Sequence, residues 1–460
     1  MTLTHFWGND KISVRKNIKG CVLMCCFKAG FSRRIISPAV GARLYGYPGA
    51  RASKTLHDNL FVNVLAFASK DELELMISVD LCVFPQDINY ELRKKIAAET
   101  GLSPDKMILA CIHTHSGPMT AGESDSDKGW GSANMEYIYE ILFPQTIIAA
   151  KEAISRMQPA KMGIGEISSN VGINRREMTN EGVVILGQNS NGPFDSRMRV
   201  LSFKNIDNKE IVSLIHYGCH PTAAGQAPEI SRDWPGYMVD RLEKETGVPA
   251  VFINGAEGDI GPRLSNGMTT GDMELMKEVG IIAGEDAVKA YKSIVSYSEP
   301  DFSVKSDVLT LPYRKLPTIE ETKSAMASLG DPEKLIEVDV LTYERYKNIL
   351  AHYEQNLPME TEWKFQQTYI SLGSVVFIPY PMEMFCQVSL NQQKDSPFEH
   401  TLCLSNANGS IGYLPTKDQI PFGGYEIDSF QAFNVFILEE DAAQQIVEKN
   451  TALLNKLFNN

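Results

Sequence analysis

Eight histidines are few for 460 residues, and four of them fall in two short loops that each follow a strand-like run. The first loop is Ala110-Cys-Ile-His113-Thr-His115-Ser-Gly-Pro118. Imidazoles at i and i+2 point to one side of an extended chain and Ser-Gly-Pro then turns it, so the pair can share one small target. Imidazole is the commonest nitrogen ligand of zinc, and a metal needs ligands brought to one point from separate strand ends. The second loop is His216-Tyr-Gly-Cys-His220-Pro-Thr222. His216 lies within the strand pattern, where a hydrogen-bonded core histidine is expected. Pro221 keeps His220 out of a helix and exposes its ring, which makes His220 the ligand candidate. Asp233, in Ser231-Arg-Asp-Trp-Pro-Gly236, stands at a helix entry, as a cap or facing a substrate. The third loop, Asn254-Gly-Ala-Glu-Gly-Asp259-Ile-Gly-Pro-Arg263, carries glycines whose N–H groups suit an oxyanion or a plain tight turn. It lacks the G-K-[ST] ending of a nucleotide-binding loop.

These loops need strands and helices to hold them. Asn89 to Thr100 reads as a helix closed by Gly101, and Lys106 to Ile112 as a buried strand. Glu136 to Met157 reads as a helix interrupted at Pro144; Arg199 to Phe203 and Glu210 to Tyr217 as strands; Pro235 opens a helix to Thr246, and Pro249 to Asn254 is the next strand. Met273 to Ile294 and Ile319 to Gln355 are helical, charged and expected to form a solvated outer layer. Strand periods return at Glu362 to Leu372, Ser374 to Tyr380 and His400 to Ser405, and a last helix spans about Glu439 to Phe458. The alternation predicts an α/β fold: a mixed sheet with flanking helices, one large domain over 27–460 with a helical insertion near 265–360. Residues 1–26 form an N-terminal extension whose Cys21 to Phe27 run is read as a first strand.

A formal charge of −13, from 57 acidic against 44 basic residues, repels phosphate backbones, so nucleic acid is not an expected partner. No apolar run reaches the roughly 18 residues of a membrane span. Eight cysteines form no C-x-x-C pair, which suggests free thiols in a reducing, cytoplasmic setting.

Taken in order, the three loops resemble the neutral/alkaline (non-lysosomal) ceramidases, zinc amidohydrolases that cleave the N-acyl bond of ceramide. His113-Thr-His-Ser-Gly-Pro118 matches that family's H-T-H-S-G-P, His220-Pro-Thr222 looks like its second histidine motif, and Gly258-Asp-Ile-Gly-Pro262 is similar to its G-D-x-S-P loop. Ala29-Gly-Phe and Gly46-Tyr-Pro-Gly49 to His57-Asp58 look like its opening segment. The resemblance spans roughly residues 27 to 430. It implies a zinc ion (Zn2+) with four ligands, His113, His220, Glu383 in Tyr380-Pro-Met-Glu383, and Tyr413 in Ser410-Ile-Gly-Tyr-Leu-Pro. It further implies that His115, Arg175 and Tyr425 line the scissile group. A zinc ion lowers the pKa of a bound water to about 7, Arg175 and Tyr425 would stabilise an oxyanion, and His115 would carry a proton to the leaving group.

Three departures bear on the substrate. The family serine of G-D-x-S-P is Gly261 here. The chain's length leaves no room for the C-terminal β-sandwich of the secreted ceramidases, and no signal peptide is recognisable. Three functions therefore stand: a zinc amidohydrolase acting on a small or lipid-like substrate, a metal-dependent hydrolase or lyase acting on a carbohydrate, and a non-catalytic binding module. A sugar-active site would use Trp130, Trp234, Asp233 and Arg263, with Asp259 beside them; a long-chain amide hydrolase would show an apolar groove. A homo-oligomer is compatible with any of the three.

Overall fold

The computed structural model describes residues 27–49, 51–122 and 131–459. Eight strands form the larger sheet: β1 (Lys28–Ile35), β2 (Phe61–Ser69), β3 (Glu72–Val79), β4 (Met107–Cys111), β5 (Gln158–Ser168), β6 (Arg197–Asn205), β7 (Glu210–Tyr217) and β8 (Ala250–Asn254). Their spatial order is β8-β7-β6-β5-β1-β2-β3-β4. The pairs β3–β4 and β7–β8 are parallel and the rest antiparallel, giving the expected mixed sheet. A second sheet runs β9 (Phe302–Pro312), β10 (Glu362–Leu372), β11 (Val375–Pro379), β12 (His400–Leu404).

The sheets pack face to face, because their strands bury both faces and alternation assigns each side chain to a layer. On β2, Leu65 and Phe67 meet Phe302, Ile370, Phe377 and Leu402 between the sheets, whereas Val62, Val64 and Ala66 face helices α1 (Gln86–Thr100) and α2 (Phe143–Ser155). Over β6–β8 lie α3 (Trp234–Thr246) and α4 (Met273–Lys292). Two more helices follow, α5 (Ile319–Ser328) and α6 (Glu337–Glu354). The outer face of the second sheet is covered by α7 (Cys386–Asp395), α8 (Tyr425–Ala432) and α9 (Ala442–Phe458).

Helix boundaries follow sequence chemistry. Gly101 closes α1 in the left-handed region at φ +77°, donating to the Ala97 carbonyl, and a π turn over Ile138–Leu142 accommodates Pro144, which has no N–H to give. Two expectations change. The α4 half of the 265–360 stretch is not a solvated outer layer: Met276, Val279, Ala283 and Ala287 are buried against α3 and the sheet. Within the same stretch β9 pairs along its whole length with β10; its Ser-Val-Lys-Ser-Asp pattern hides a strand because most of its residues stay partly exposed. The strand read at Cys21 to Phe27 falls, but for Phe27, outside the described residues. Cys82, Cys111, Cys219, Cys386 and Cys403 are free thiols, and among the described residues no helix is long and apolar enough to cross a membrane.

The larger sheet curls until its edges approach. Ser78 Oγ on β3 donates to the Phe252 carbonyl on β8 at 2.6 Å, and Asn254 Nδ2 donates to the Ile112 carbonyl at 2.9 Å. The loops leaving the carboxyl ends of β4, β7 and β8 are thereby gathered at one point.

Candidate active site

Each histidine loop is fixed by its own backbone before any side chain is placed. His113 takes φ +71°, costly for a non-glycine residue, and its N–H donates to the Leu81 carbonyl at 2.9 Å. The His220 N–H donates to the Ile260 carbonyl at 2.9 Å, tying the β7 loop to the β8 loop. Glu383 arrives from the end of β11, where residues 383–384 pair in parallel with 413–414 and make Glu383 and Tyr413 direct partners.

Nε2 of His113 and Nε2 of His220 each lie 3.3 Å from Glu383 Oε2. Ligand atoms about 2.0–2.1 Å from a tetrahedral zinc lie about 3.3–3.4 Å from one another. The other ring nitrogens face away: His113 Nδ1 donates to the Cys82 carbonyl at 3.0 Å and His220 Nδ1 to the Glu257 carbonyl at 2.5 Å, the outward hydrogen bond typical of ligating imidazoles. His220 Nε2 and Glu383 Oε2 are buried without a hydrogen-bond partner. A divalent cation between them would satisfy both, so the residues fit a metal. Electrostatics agree. Burial opposes the charge on Glu383, yet His113 and His220 hold its carboxyl well below the usual range. Burial pushes His220 down to about 3, with the Arg175 charge adding to it, so its ring is neutral. His113 is raised despite burial because Cys82 and Glu383 favour its charged form, so without a metal a proton neutralises Glu383, and a bound cation would take that proton's place.

Beside these groups stands a chain of fixed charges. Arg175 Nη2 donates to the Tyr413 hydroxyl at 2.9 Å and its Nε to Glu426 Oε1 at 2.7 Å, while Arg176 Nη1 takes Glu426 Oε2 at 2.7 Å. Burial alone would lower the Arg175 pKa, but Tyr413, Glu426 and Glu383 hold it charged. Burial and the neighbouring Glu383 push the Tyr413 phenol up. The Tyr425 ring lies 6.1 Å from that of Tyr413. His115 Nε2 is 3.3 Å from His113 Nε2, and its Nδ1 has no partner; burial and then the two nearby imidazoles keep it neutral. Gly46, at φ +104°, lies flat against that ring, since a Cβ there would come within 2.4 Å of it.

His113, His115, Glu383, Tyr413 and Tyr425 all line a cavity of about 560 Å3. Its other walls are mostly apolar, with Val83, Pro85, Ala121, Ile411, Phe433, and Val340 and Leu341 from α6, interrupted by Glu344 and Asn348 of the same helix and by Ser410 and Asn434. The remaining sequence candidates lie elsewhere. Asp233 caps α3, accepting from the N–H groups of Trp234, Ala223 and Ala224. Asp259 is spent on the Cys386 N–H (2.6 Å) and Asn174 Nδ2 (2.9 Å), which positions the start of α7. Arg263 reaches the Asn170 carbonyl away from the cavity, and Trp234 is fully buried against the His220 carbonyl. Trp130 falls outside the described residues. Gly261 does not line the cavity; a Cβ there would sit 2.5 Å from Thr269 Cβ. Sequence reasoning missed Cys82, Asn406, Glu426 and the α6 wall. A signal existed for Glu426, one residue after Tyr425, and none for Cys82, whose role comes from its carbonyl.

No family model matches the chain. Among solved structures it is similar to neutral ceramidase from Pseudomonas aeruginosa at 17% identity and TM-score 0.70, covering 94% of this chain and 75% of that one. It is likewise similar to a ceramidase complexed with C2, at 15% identity and TM-score 0.70, covering 94% and 76%. At such identities the likeness establishes the fold, and over 94% of its length this chain folds as neutral ceramidase does, the family that its loop motifs resemble.

Proposed function

We propose that this protein is a zinc-dependent hydrolase that cleaves an N-acyl (amide) bond in a substrate with an apolar arm. The observation that carries the reading is the 3.3 Å spacing of His113 Nε2 and His220 Nε2 about Glu383 Oε2, with His113 and Glu383 lining a mostly apolar cavity. His113, His220 and Glu383 would hold the ion, with Tyr413 as the fourth ligand. When bound, zinc supplies a Lewis acid and makes water a nucleophile near neutral pH. Arg175 stays charged behind the cavity wall and acts through the Tyr413 hydroxyl to which it donates, while the Tyr425 hydroxyl, in the lining itself, would stabilise negative charge on the acyl oxygen. Neutral His115 can accept a proton at Nε2 and return it to the leaving nitrogen. The Val340, Leu341, Ile411 and Phe433 walls would exclude water and take the acyl chain.

The carbohydrate reading is less supported: of its four residues Trp234, Asp233 and Arg263 are engaged elsewhere in the fold, Trp130 falls outside the described residues, and the described lining contains neither Trp nor Arg. Fold likeness to neutral ceramidase supports the amide assignment. The test is hydrolysis by zinc-loaded protein of N-acyl amides of increasing chain length beside a panel of glycosides. Amide turnover that rises with chain length supports the reading; turnover of glycosides alone overturns it.

A further inference from the structure

Of the three imidazoles at the site, His115 is the one that no hydrogen bond turns outward. His113 and His220 each donate from Nδ1 to a carbonyl, whereas His115 Nδ1 is buried and has no partner among the described residues. A ring held without that bond takes its angle from packing. Residues 43–51 supply it. They run antiparallel beside the histidine loop: the Tyr45 N–H donates to the Gly117 carbonyl at 3.0 Å, and the Met119 N–H to the Arg43 carbonyl at 3.1 Å. Gly46 brings bare backbone against the His115 ring, and the Tyr47 ring meets it edge to face, with centroids 5.1 Å apart and planes at 73°. The Arg51 guanidinium stands 5.1 Å over the Tyr47 ring and donates to the Tyr45 carbonyl at 2.9 Å and to the carbonyl of His115 itself. It also reaches the Gly225 and Ala227 carbonyls, each at 3.2 Å, so it cannot shift freely. The Tyr47 hydroxyl is buried with no partner among the described residues, so what Tyr47 gives the site is its ring.

Resting on the hydrolase reading, in which His115 carries a proton at Nε2, we propose that Tyr47 is a positioning residue: its ring, fixed by Arg51, holds the His115 imidazole at the angle that sets Nε2 3.3 Å from His113 Nε2, beside the metal position. Tyr47 is not in the cavity lining and so contacts neither metal nor substrate. Losing one edge-to-face aromatic contact slows a step by about 3–10-fold rather than abolishing it.

The test compares Tyr47→Leu, Tyr47→Phe, His115→Ala and the Tyr47→Leu/His115→Ala double variant by kcat and KM of the zinc-loaded protein on a long-chain N-acyl amide, and by zinc content. Crystal structures of the metal-free Tyr47→Leu and unsubstituted proteins give a readout independent of turnover. Tyr47→Leu should lower kcat by about 3–10-fold with KM and zinc content unchanged, and its His115 ring should turn away from, or split about, the position it holds in the unsubstituted protein. Tyr47→Phe keeps the ring and should leave kcat within about twofold. The double variant should be no slower than His115→Ala alone, because no imidazole is left to position. If the Tyr47→Leu protein does not fold, Tyr47→Met carries the same expectation. An unmoved His115 ring or an unchanged kcat in the folded Leu or Met variant overturns the role of Tyr47, as does a comparable loss with Tyr47→Phe or an additive loss in the double variant. Absence of amide turnover by the zinc-loaded unsubstituted protein overturns the hydrolase reading instead, and the crystal structures then still decide whether Tyr47 orients His115.

Discussion

Replacing Glu426 by glutamine tests whether the charge chain beside the candidate metal position is held as described. Glu426 is fully buried and accepts two charge-assisted hydrogen bonds of 2.7 Å, from Arg175 Nε and Arg176 Nη1. Glutamine keeps the shape and one oxygen but removes the charge, leaving two buried guanidinium groups without their counterion. Breaking a buried ion pair from one side costs about 3–5 kcal/mol, and here one carboxylate serves two partners, so the loss should be at least about 3 kcal/mol. Urea denaturation of metal-free protein at neutral pH measures it without a contribution from ligand binding. The same substitution slackens Arg175 against Tyr413, so turnover should fall by about tenfold, less than the roughly 10²–10³ expected for removing a charge-stabilising donor outright with Arg175→Met. In an Arg175→Met/Arg176→Met background the stability cost should largely vanish. A loss below about 1 kcal/mol in the single variant would refute the reasoning, because it would mean the two guanidinium groups are not desolvated around the Glu426 carboxylate.

Three further outcomes are expected. Gly261→Ser should destabilise the protein by about 1–3 kcal/mol on denaturation, since the new Cβ meets Thr269 Cβ at 2.5 Å, and in a Thr269→Gly background, which lacks that Cβ, the cost should largely vanish. Burial first of all raises the Asp80 carboxyl from 3.8 to about 7, against the opposing pull of Arg232. A raised folded-state value adds stability that is complete below the unfolded value and lost as pH climbs through the folded one, so metal-free protein should lose up to about 3 kcal/mol between about pH 5 and pH 8. Asp80→Asn should remove that share of the dependence, leaving those of Glu74 and Glu257, which burial raises to about 8, measured by denaturation at both pH values; an unchanged slope would show that Asp80 carries none of it. Leu341→Trp should raise KM for a long-chain N-acyl amide by about tenfold or more through lost cavity volume, with zinc content unchanged. Equal effects on short and long acyl chains would contradict the α6 wall as the acyl-binding face.

Local chemistry explains what could be read from the sequence. His113, His115 and His220 stand out because strand ends followed by turn residues put imidazoles into loops, and the core role expected for His216 agrees with its buried Nε2 lying 3.0 Å from the Cys403 carbonyl. The Glu383 and Tyr413 positions came only through family resemblance. What joins them is a two-residue parallel pairing of segments thirty residues apart, which leaves no periodicity behind. Asp259 shows the converse: an acidic residue in a glycine-rich loop suggests a site, yet the Cys386 N–H, 127 positions away, claims its carboxylate, whereas Asp233 takes the capping role that its place at a helix entry already offered. Glu257 and Asn406, 149 positions apart, meet only where the β8 and β12 loops do. The missed strand β9 has the same origin, since its register is set by β10 rather than by its own alternation.

The central claim is that His113, His220 and Glu383 form a metal site. Its most direct test is elemental analysis of purified protein after zinc loading and removal of free metal, run beside His113→Ala and Glu383→Ala variants shown by circular dichroism to be folded. About one zinc per chain in the unsubstituted protein, lost in both variants, is the predicted result. A folded, unsubstituted protein that retains no zinc, or variants that retain it in full, would contradict the account.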